Sequence, residues 1–381
     1  MNILIDAHLS ENNVTGIGRY INELICSLEL FIEDLVINVL IKSDLHSNHL
    51  LNQLEKVKKI PINLDGPSLS QNIVIPKKLL DIRPGIYHHP HFDLPLGVNV
   101  PSVITVHDLK YIHHPEFFDS QNLLKSIYMK RMLGSSIRRS EKIIAVSEAT
   151  KQDILSLYDV SEDKIVVIHH GVEECYFNNK KKPSDDEVLR NFKINQPYIL
   201  FVGERRPHKN IVALIQAYAH LKLSLRQSYQ LVIVGKAYSN YNDPELKAKE
   251  LDLKNSVIFT GAVTDEALKI LYRNASLFVL PSLYEGFGFP VLEAMASCVP
   301  VIASNVTSLP EIVGKAGMLF NAEKSNELTE IIECLLNDES KRKKYIELGF
   351  ERAKEFTWKK SAEKHVEIYQ ELIKLSNYGK N

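Results

Sequence analysis

Short apolar segments alternate with amphipathic, helix-length stretches along nearly the whole 381 residues. That rhythm limits the chain to an α/β architecture with parallel, doubly wound sheets. In the first half the apolar segments fall at 3–6, 35–41, 86–88, 103–107, 142–146 and 165–168. In the second half they fall at 198–202, 230–234, 257–260, 277–280, 299–303 and 318–320. A polar run at 178–186, holding Lys180-Lys181-Lys182 and Pro183-Ser184-Asp185-Asp186, breaks the pattern with the composition of a linker. The length allows two or three domains, each with its own core. The expectation is two Rossmann-like domains, 1–177 and 187–358, facing across a cleft, with ligands at the carboxyl ends of their strands. The last helical stretch, 359–375, follows the second sheet. Residues 359–381 therefore either cap the second domain or cross back to the first.

Composition removes several classes of function. A formal net charge of -1 argues against a general nucleic-acid binder, whose domain would be clearly basic. Cys26, Cys175, Cys298 and Cys334 are scattered without short spacing, as reduced thiols are, which gives neither a disulfide framework nor a zinc site. The opening Asn2-Ile3-Leu4-Ile5-Asp6 has the pattern of a strand and not of a signal peptide. No apolar run approaches the roughly 18–20 residues of a membrane span. A cytoplasmic protein is expected.

The most informative segment is Glu285-Gly286-Phe287-Gly288-Phe289-Pro290-Val291-Leu292-Glu293-Ala294. It follows the apolar run 276–281 and opens a helix, where Pro290 fits the first turn because its missing N–H would be unpaired there anyway. The glycines let backbone approach a ligand, and the N–H groups of the helix start attract anions. Glu285 lies in the loop and Glu293 about one turn into the helix, so both can face one cleft and bind sugar hydroxyls. The same pattern also fits a plain strand–turn–helix with two solvated glutamates.

Three further loops follow strands. In Thr15-Gly16-Ile17-Gly18-Arg19-Tyr20, the third glycine of a dinucleotide fingerprint is replaced by Ile21, which removes a nicotinamide reading. A glycine-rich approach to phosphate or sugar at Gly16 and Gly18, or a simple helix start, remains. Val106-His107-Asp108 places a histidine where it can meet a sugar hydroxyl or serve as a structural side chain. Gly203-Glu204-Arg205-Arg206-Pro207-His208-Lys209-Asn210 offers cations suited to phosphate, or a charged turn. The histidines at 88, 89, 91, 113 and 114 invite a metal reading. Nothing nearby supplies a closed ligand set, and His88 and His89 alternate faces on a strand, so no metal site is expected. Asp-x-Asp, a pair that holds a divalent cation on a sugar diphosphate, does not occur.

Together these segments, with Val146-Ser147-Glu148 and His170-Gly171-Val172, resemble the retaining glycosyltransferases of family 4, and the resemblance covers nearly the whole chain. It implies the two-domain GT-B fold. It further implies that Glu285 contacts donor-sugar hydroxyls and Glu293 the ribose. Gly286, Phe287, Gly288 and Val291 would frame the diphosphate seat. Arg205 and Lys209 would neutralise the leaving nucleoside diphosphate, with Arg206 the alternative to Arg205. His107 would line the sugar pocket, and Gly16 would lie where a loop closes over the diphosphate. Glu285, His107, Arg205 and Lys209 are the expected catalytic set, with no cofactor and no metal.

The loops at 15–20 and 105–109 resemble bacterial mannosyltransferases of surface polysaccharide synthesis. The resemblance implies GDP-mannose as donor, with UDP-hexoses and dTDP-rhamnose as alternatives, and a glycan or lipid-linked saccharide as acceptor. A helix expected over 122–139 carries Leu123, Leu124, Ile127 and Leu133 beside Lys125, Lys130, Arg131, Arg138 and Arg139. That is the pattern of a helix on anionic lipid at the inner membrane face, and equally of a helix packed on its own sheet. The basic cluster at 341–344 fits a solvated helix face. A non-catalytic nucleotide-sugar-binding regulator is the competing reading from another class.

Overall fold

The computed structural model describes residues 2–11, 16–31, 35–47, 49–64, 68–117, 123–238 and 241–378; the side chains of 123–125, 325 and 376–378 are not described. The chain divides into two compact units, Met1–Gly171 with Trp358–Asn381, and Val172–Thr357.

The first unit holds a seven-stranded sheet in the order β3-β2-β1-β4-β5-β6-β7. Its strands are β1 (Asn2–Asp6), β2 (Val36–Lys42), β3 (Lys58–Ile62), β4 (Ile86–His89), β5 (Ser102–Val106), β6 (Lys142–Ala145) and β7 (Ile165–Val167), all paired in parallel. Residues Leu4, Tyr87, Ile104, Val106 and Ile143 are buried in one apolar cluster, as expected of strands covered by helices. The strand β3 has no counterpart in the apolar pattern. It reads Lys-Lys-Ile-Pro-Ile at the sheet edge, where few of its side chains are buried and Pro61 is tolerated.

The second unit holds a six-stranded sheet in the order β10-β9-β8-β11-β12-β13. The strands are β8 (Tyr198–Val202), β9 (Gln230–Val234), β10 (Val257–Gly261), β11 (Leu277–Leu280), β12 (Val301–Ser304) and β13 (Met318–Phe320), again all parallel. At Gly235 (φ 140°) a Cβ would meet the Gly203 carbonyl oxygen at 1.9 Å, so the turns after β8 and β9 pack backbone to backbone only because no side chain is present. In each sheet the strand order reverses once, between β1 and β4 and between β8 and β11. Crevices at such switch points, beyond the carboxyl ends, are where doubly wound sheets bind ligands.

The changeover between units lies at Gly171–Val172, ahead of the polar run 178–186. That run is not a linker. Asp185 begins the helix Asp185–Asn191 and is buried, with its carboxylate gripped by Nε and Nη2 of Arg273 and by Asn274 Nδ2 at 3.0 Å. Composition shows the polar residues of an anchor but not the partner that buries them. The helix Trp358–Tyr378 belongs to the first unit: Nε2 of His365 is 2.8 Å from the Tyr20 hydroxyl, and the Tyr369 hydroxyl is 2.7 Å from His88 Nδ1.

Candidate functional site

In the second unit, two loops meet at the β8/β11 switch point. Lys209 ends the 3₁₀ turn Pro207–Lys209 after β8, and Asn210 (φ 52°) then turns the chain into the helix Ile211–Ala219. Glu285 lies in the loop after β11. Lys209 Nζ donates to Glu285 Oε1 at 2.5 Å, and Ser282 Oγ donates to the same oxygen at 2.6 Å. Both side chains keep a small accessible edge, 15% and 12%. Glu285 Oε2 has no protein partner among the described residues, which leaves an acceptor for a ligand hydroxyl.

The loop is held by the segment after β12. Glu285 N–H donates to Thr307 Oγ1 at 2.9 Å, and Ser308 Oγ lies 2.9 Å from both the Glu285 and Phe287 carbonyls. Sequence reasoning misses Ser282, Thr307 and Ser308. Thr307 and Ser308 stand in a Ser/Thr-rich stretch just ahead of Leu309-Pro310 and a helix start, while Ser282 carries no such signal. Gly288 (φ 110°) caps the helix Phe289–Ala296, with Pro290 in its first turn, and a Cβ there would press on Leu309 at 2.8 Å. Gly286 is partly exposed, Phe287 packs on Phe289 and Phe356, and Val291 is fully buried. The N–H groups of this helix start thus follow directly on the Glu285 loop, a combination suited to an anion with hydroxyls attached.

Glu293 is 2% exposed and accepts the Tyr272 hydroxyl at 2.6 Å through Oε2. The two expected cations each have a carboxylate partner, Lys209 on Glu285 and Arg205 on Glu245. Arg205 continues the pairing of β8, bridging to Ala237 with its N–H on the Lys236 carbonyl at 3.1 Å. That turns its side chain inward, where it ion-pairs with Glu245 and lies over the Phe259 ring. Arg206 pairs with Glu204 at 2.6 Å and covers Tyr238. Spacing alone could not show that strand pairing runs on through residue 205 and commits its guanidinium to an acid.

In the first unit, His107 follows β5. Its Nε2 donates to the Pro90 carbonyl at 3.0 Å, so Nδ1 keeps the lone pair. Burial lowers its pKa to about 4, and the imidazole is neutral at pH 7. It stacks on His170 (5.5 Å) and meets the edge of Tyr20 (4.9 Å). A neutral ring with an acceptor nitrogen suits a sugar hydroxyl. Gly16 and Gly18 lie in the helix Gly16–Leu28, Gly16 exposed with open space around it and Gly18 buried. Thr15, at the head of that motif, lies outside the described residues. Ser147 caps the helix Glu148–Leu157 through Thr150 N–H at 3.1 Å, a structural role.

A second cluster occupies the β1/β4 switch point. Asp6, the last residue of β1, accepts from Tyr87 (2.5 Å) and contacts His8 Nδ1 (2.6 Å) and His89 Nδ1 (3.2 Å). Burial alone would push its pKa up; the His8 and His89 contacts outweigh that and hold it well below the carboxylate range. His89 also contacts Asp93, and His91 closes on the same carboxylate. Burial works against charge on His89, but the two carboxylates prevail and raise its pKa to about 9. His88 points the other way, to Tyr369 and Thr105. Sequence reasoning marks His88, His89 and His91 but neither His8 nor the acids: Asp6 and Asp93 look like an ordinary strand-end and loop residue until the fold joins them.

The fold agrees with what comparison finds. The profile of "Glycosyl transferases group 1" matches residues 185–352, and that of "Glycosyltransferase Family 4" matches residues 47–174. The chain belongs to this glycosyltransferase family, and its two parallel-sheet domains are those of the GT-B fold. Among its relatives is O-antigen chain mannosyltransferase B of Escherichia coli, 32% identical over 376 residues, covering 94% of this chain and 97% of that one. Similar solved structures include the sucrose-phosphate synthase of Thermosynechococcus elongatus (TM-score 0.78, 19% identity, 98% and 99% of the two chains). Anabaena HepE in complex with UDP and glucose is another (TM-score 0.75, 20% identity, 97% and 99%). No described helix is long and apolar enough to cross a membrane.

Proposed function

We propose that the protein is a retaining hexosyltransferase that moves mannose from GDP-mannose onto a glycan or lipid-linked saccharide in cell-surface polysaccharide synthesis. The observation that carries the reading is the Lys209–Glu285 pair beside the Phe289 helix start. The name of the Escherichia coli relative supports mannose and a polysaccharide acceptor.

As the bond from sugar C1 to the phosphate oxygen breaks, negative charge grows on the leaving diphosphate and the sugar becomes oxocarbenium-like. Lys209 and the helix N–H groups stabilise that charge. The acceptor hydroxyl adds to C1 from the same face, and its proton passes to the departing phosphate oxygen, so no separate base is needed. Glu285 Oε2 holds donor-sugar hydroxyls, Glu293 the ribose, and His107 Nδ1 a further sugar hydroxyl. Arg205 supports its loop through Glu245. With these groups meeting the charge, the diphosphate needs no metal.

The purified protein is to be given GDP-mannose with and without a simple mannoside, and GDP release followed. Acceptor-dependent release is expected, and GDP affinity unchanged by EDTA. Turnover with UDP-glucose but not GDP-mannose would overturn the donor.

Peripheral contact with the inner membrane face is part of the same proposal. The helix Leu123–Arg139 buries Leu133 and Ile137 and exposes Ile127, Tyr128, Lys130, Arg131 and Arg138, a basic face with apolar residues. Flotation with anionic liposomes is expected to carry the protein upward; failure to float would remove the membrane contact.

A further inference from the structure

The pocket of acids and imidazoles at the β1/β4 switch point has the donor set, spacing and support of a metal centre. His89 ends β4, and the bend that follows carries His91 and Asp93 back to it, so that both histidines contact the Asp93 carboxylate. One donor atom from each lies within 4.8 Å of the other two. Around Zn²⁺, with bonds of about 2.0–2.2 Å, neighbouring tetrahedral ligands stand about 3.3 Å apart. His89 Nε2 is already 3.0 Å from Asp93 Oδ1, so small shifts of these side chains bring the three to that spacing.

The outer shell is also built. His89 turns its other nitrogen to Asp6 at 3.2 Å, the carboxylate–histidine arrangement that fixes which nitrogen faces a metal. Asp6 is itself held by Tyr87 and His8, and Gln71 Nε2 grips the second oxygen of Asp93 at 3.0 Å. The histidine ring of residue 8 stacks 6.2 Å from His89, and its Nε2 is buried with no partner among the described residues. His91 keeps 13% of its side chain accessible, which gives an entry path.

We propose that His89, His91 and Asp93 bind one borderline divalent transition metal of the Zn²⁺ class, with a fourth position open to water or a hydroxyl. Two imidazoles and one carboxylate favour such an ion over Mg²⁺ or Ca²⁺. The metal's task is positional. Pro90 lies between two ligands and its carbonyl accepts from His107, so a metal that fixes the 89–93 turn also fixes His107. The site lies wholly within the first unit and does not depend on the donor reading.

The test uses tag-free full-length protein stripped with EDTA. It is titrated with Zn²⁺ by calorimetry and with Co²⁺ by visible absorption, with circular dichroism and GDP affinity as controls of fold. One equivalent of Zn²⁺ and a tetrahedral Co²⁺ spectrum are expected. His91→Ala should abolish both while GDP affinity stays, Gln71→Leu should weaken binding by about 10- to 100-fold, and His114→Ala should change nothing. Absence of stoichiometric binding, or unaltered affinity in folded His91→Ala, overturns the site.

Discussion

Lys209 and Glu285, 76 residues apart, share one ion pair of 2.5 Å at the switch point of the second sheet. Each comes from the loop after a central strand, β8 or β11, so the pair forms when these two neighbouring strands lie side by side. It sets a lysine charge and a carboxylate next to a helix start.

Removing either partner should therefore separate binding from chemistry. Lys209→Ala is expected to weaken nucleoside-diphosphate binding at least tenfold by calorimetry, since it removes the cation at the seat. Glu285→Ala should lower turnover by about 10²-fold or more in a protein whose circular dichroism and melting curve show it folded. Near-normal turnover would show that this carboxylate does not touch the donor.

Tyr272→Phe tests the inner acid of the motif. The change deletes the hydroxyl that Glu293 accepts while keeping the ring, and leaves a buried carboxylate short of a donor. A loss of about 1–3 kcal/mol in urea unfolding is expected, together with weaker binding of nucleoside diphosphate. Unchanged stability would mean that Glu293 finds another donor at no cost.

Asp185 and Arg273 should make the second unit acid-sensitive in a defined window. Hydrogen bonds from Arg273 lower the Asp185 pKa from 3.8 to about 2. Above pH 3.8 the carboxylate is charged in both folded and unfolded chains and its full contribution, about 2 kcal/mol, is present. It is lost as pH falls from there through about 2. Asp185→Asn should remove this contribution already at pH 7, read as a lower denaturation midpoint.

His365 works in a higher window. Burial lowers its pKa from 6.5 to about 4. Its Nδ1 donates to the Ser361 carbonyl and its Nε2 accepts from Tyr20, so the neutral ring is fully bonded. Below pH 6.5 an unfolded chain takes up a proton that the folded ring refuses until about pH 4. Stability should then fall with pH over that interval by about 1.4 kcal/mol per unit from this residue. His365→Gln should show a shallower fall in urea midpoints across the same range, because the histidines at 88, 107 and 170 keep theirs.

The sheets were legible because buried parallel strands must be apolar runs, and the five residues 198–202 say so without help. The edge strand at 58–62 was not, because an edge has little apolar face to show. The Glu285–Glu293 loop was readable from its glycines and Pro290. What the sequence hid were partners: Glu245 for Arg205, Tyr272 for Glu293, Arg273 for Asp185, Asp93 for His89 and His91. Each involves a polar residue whose meaning depends on a contact that only the fold creates. Polar residues carry no periodicity to announce which neighbour they will meet.

The bond between Tyr20 and His365 spans 345 residues, and the whole of the second unit lies within that span. A ribosome that has released the chain as far as residue 357 has therefore delivered every residue of the second unit, while the first still lacks the helix that covers Tyr20 and His88. The first unit begins first and closes last. Until then its buried hydroxyl and imidazoles stand open to water, and the second unit is in a position to fold around its own sheet while the first waits.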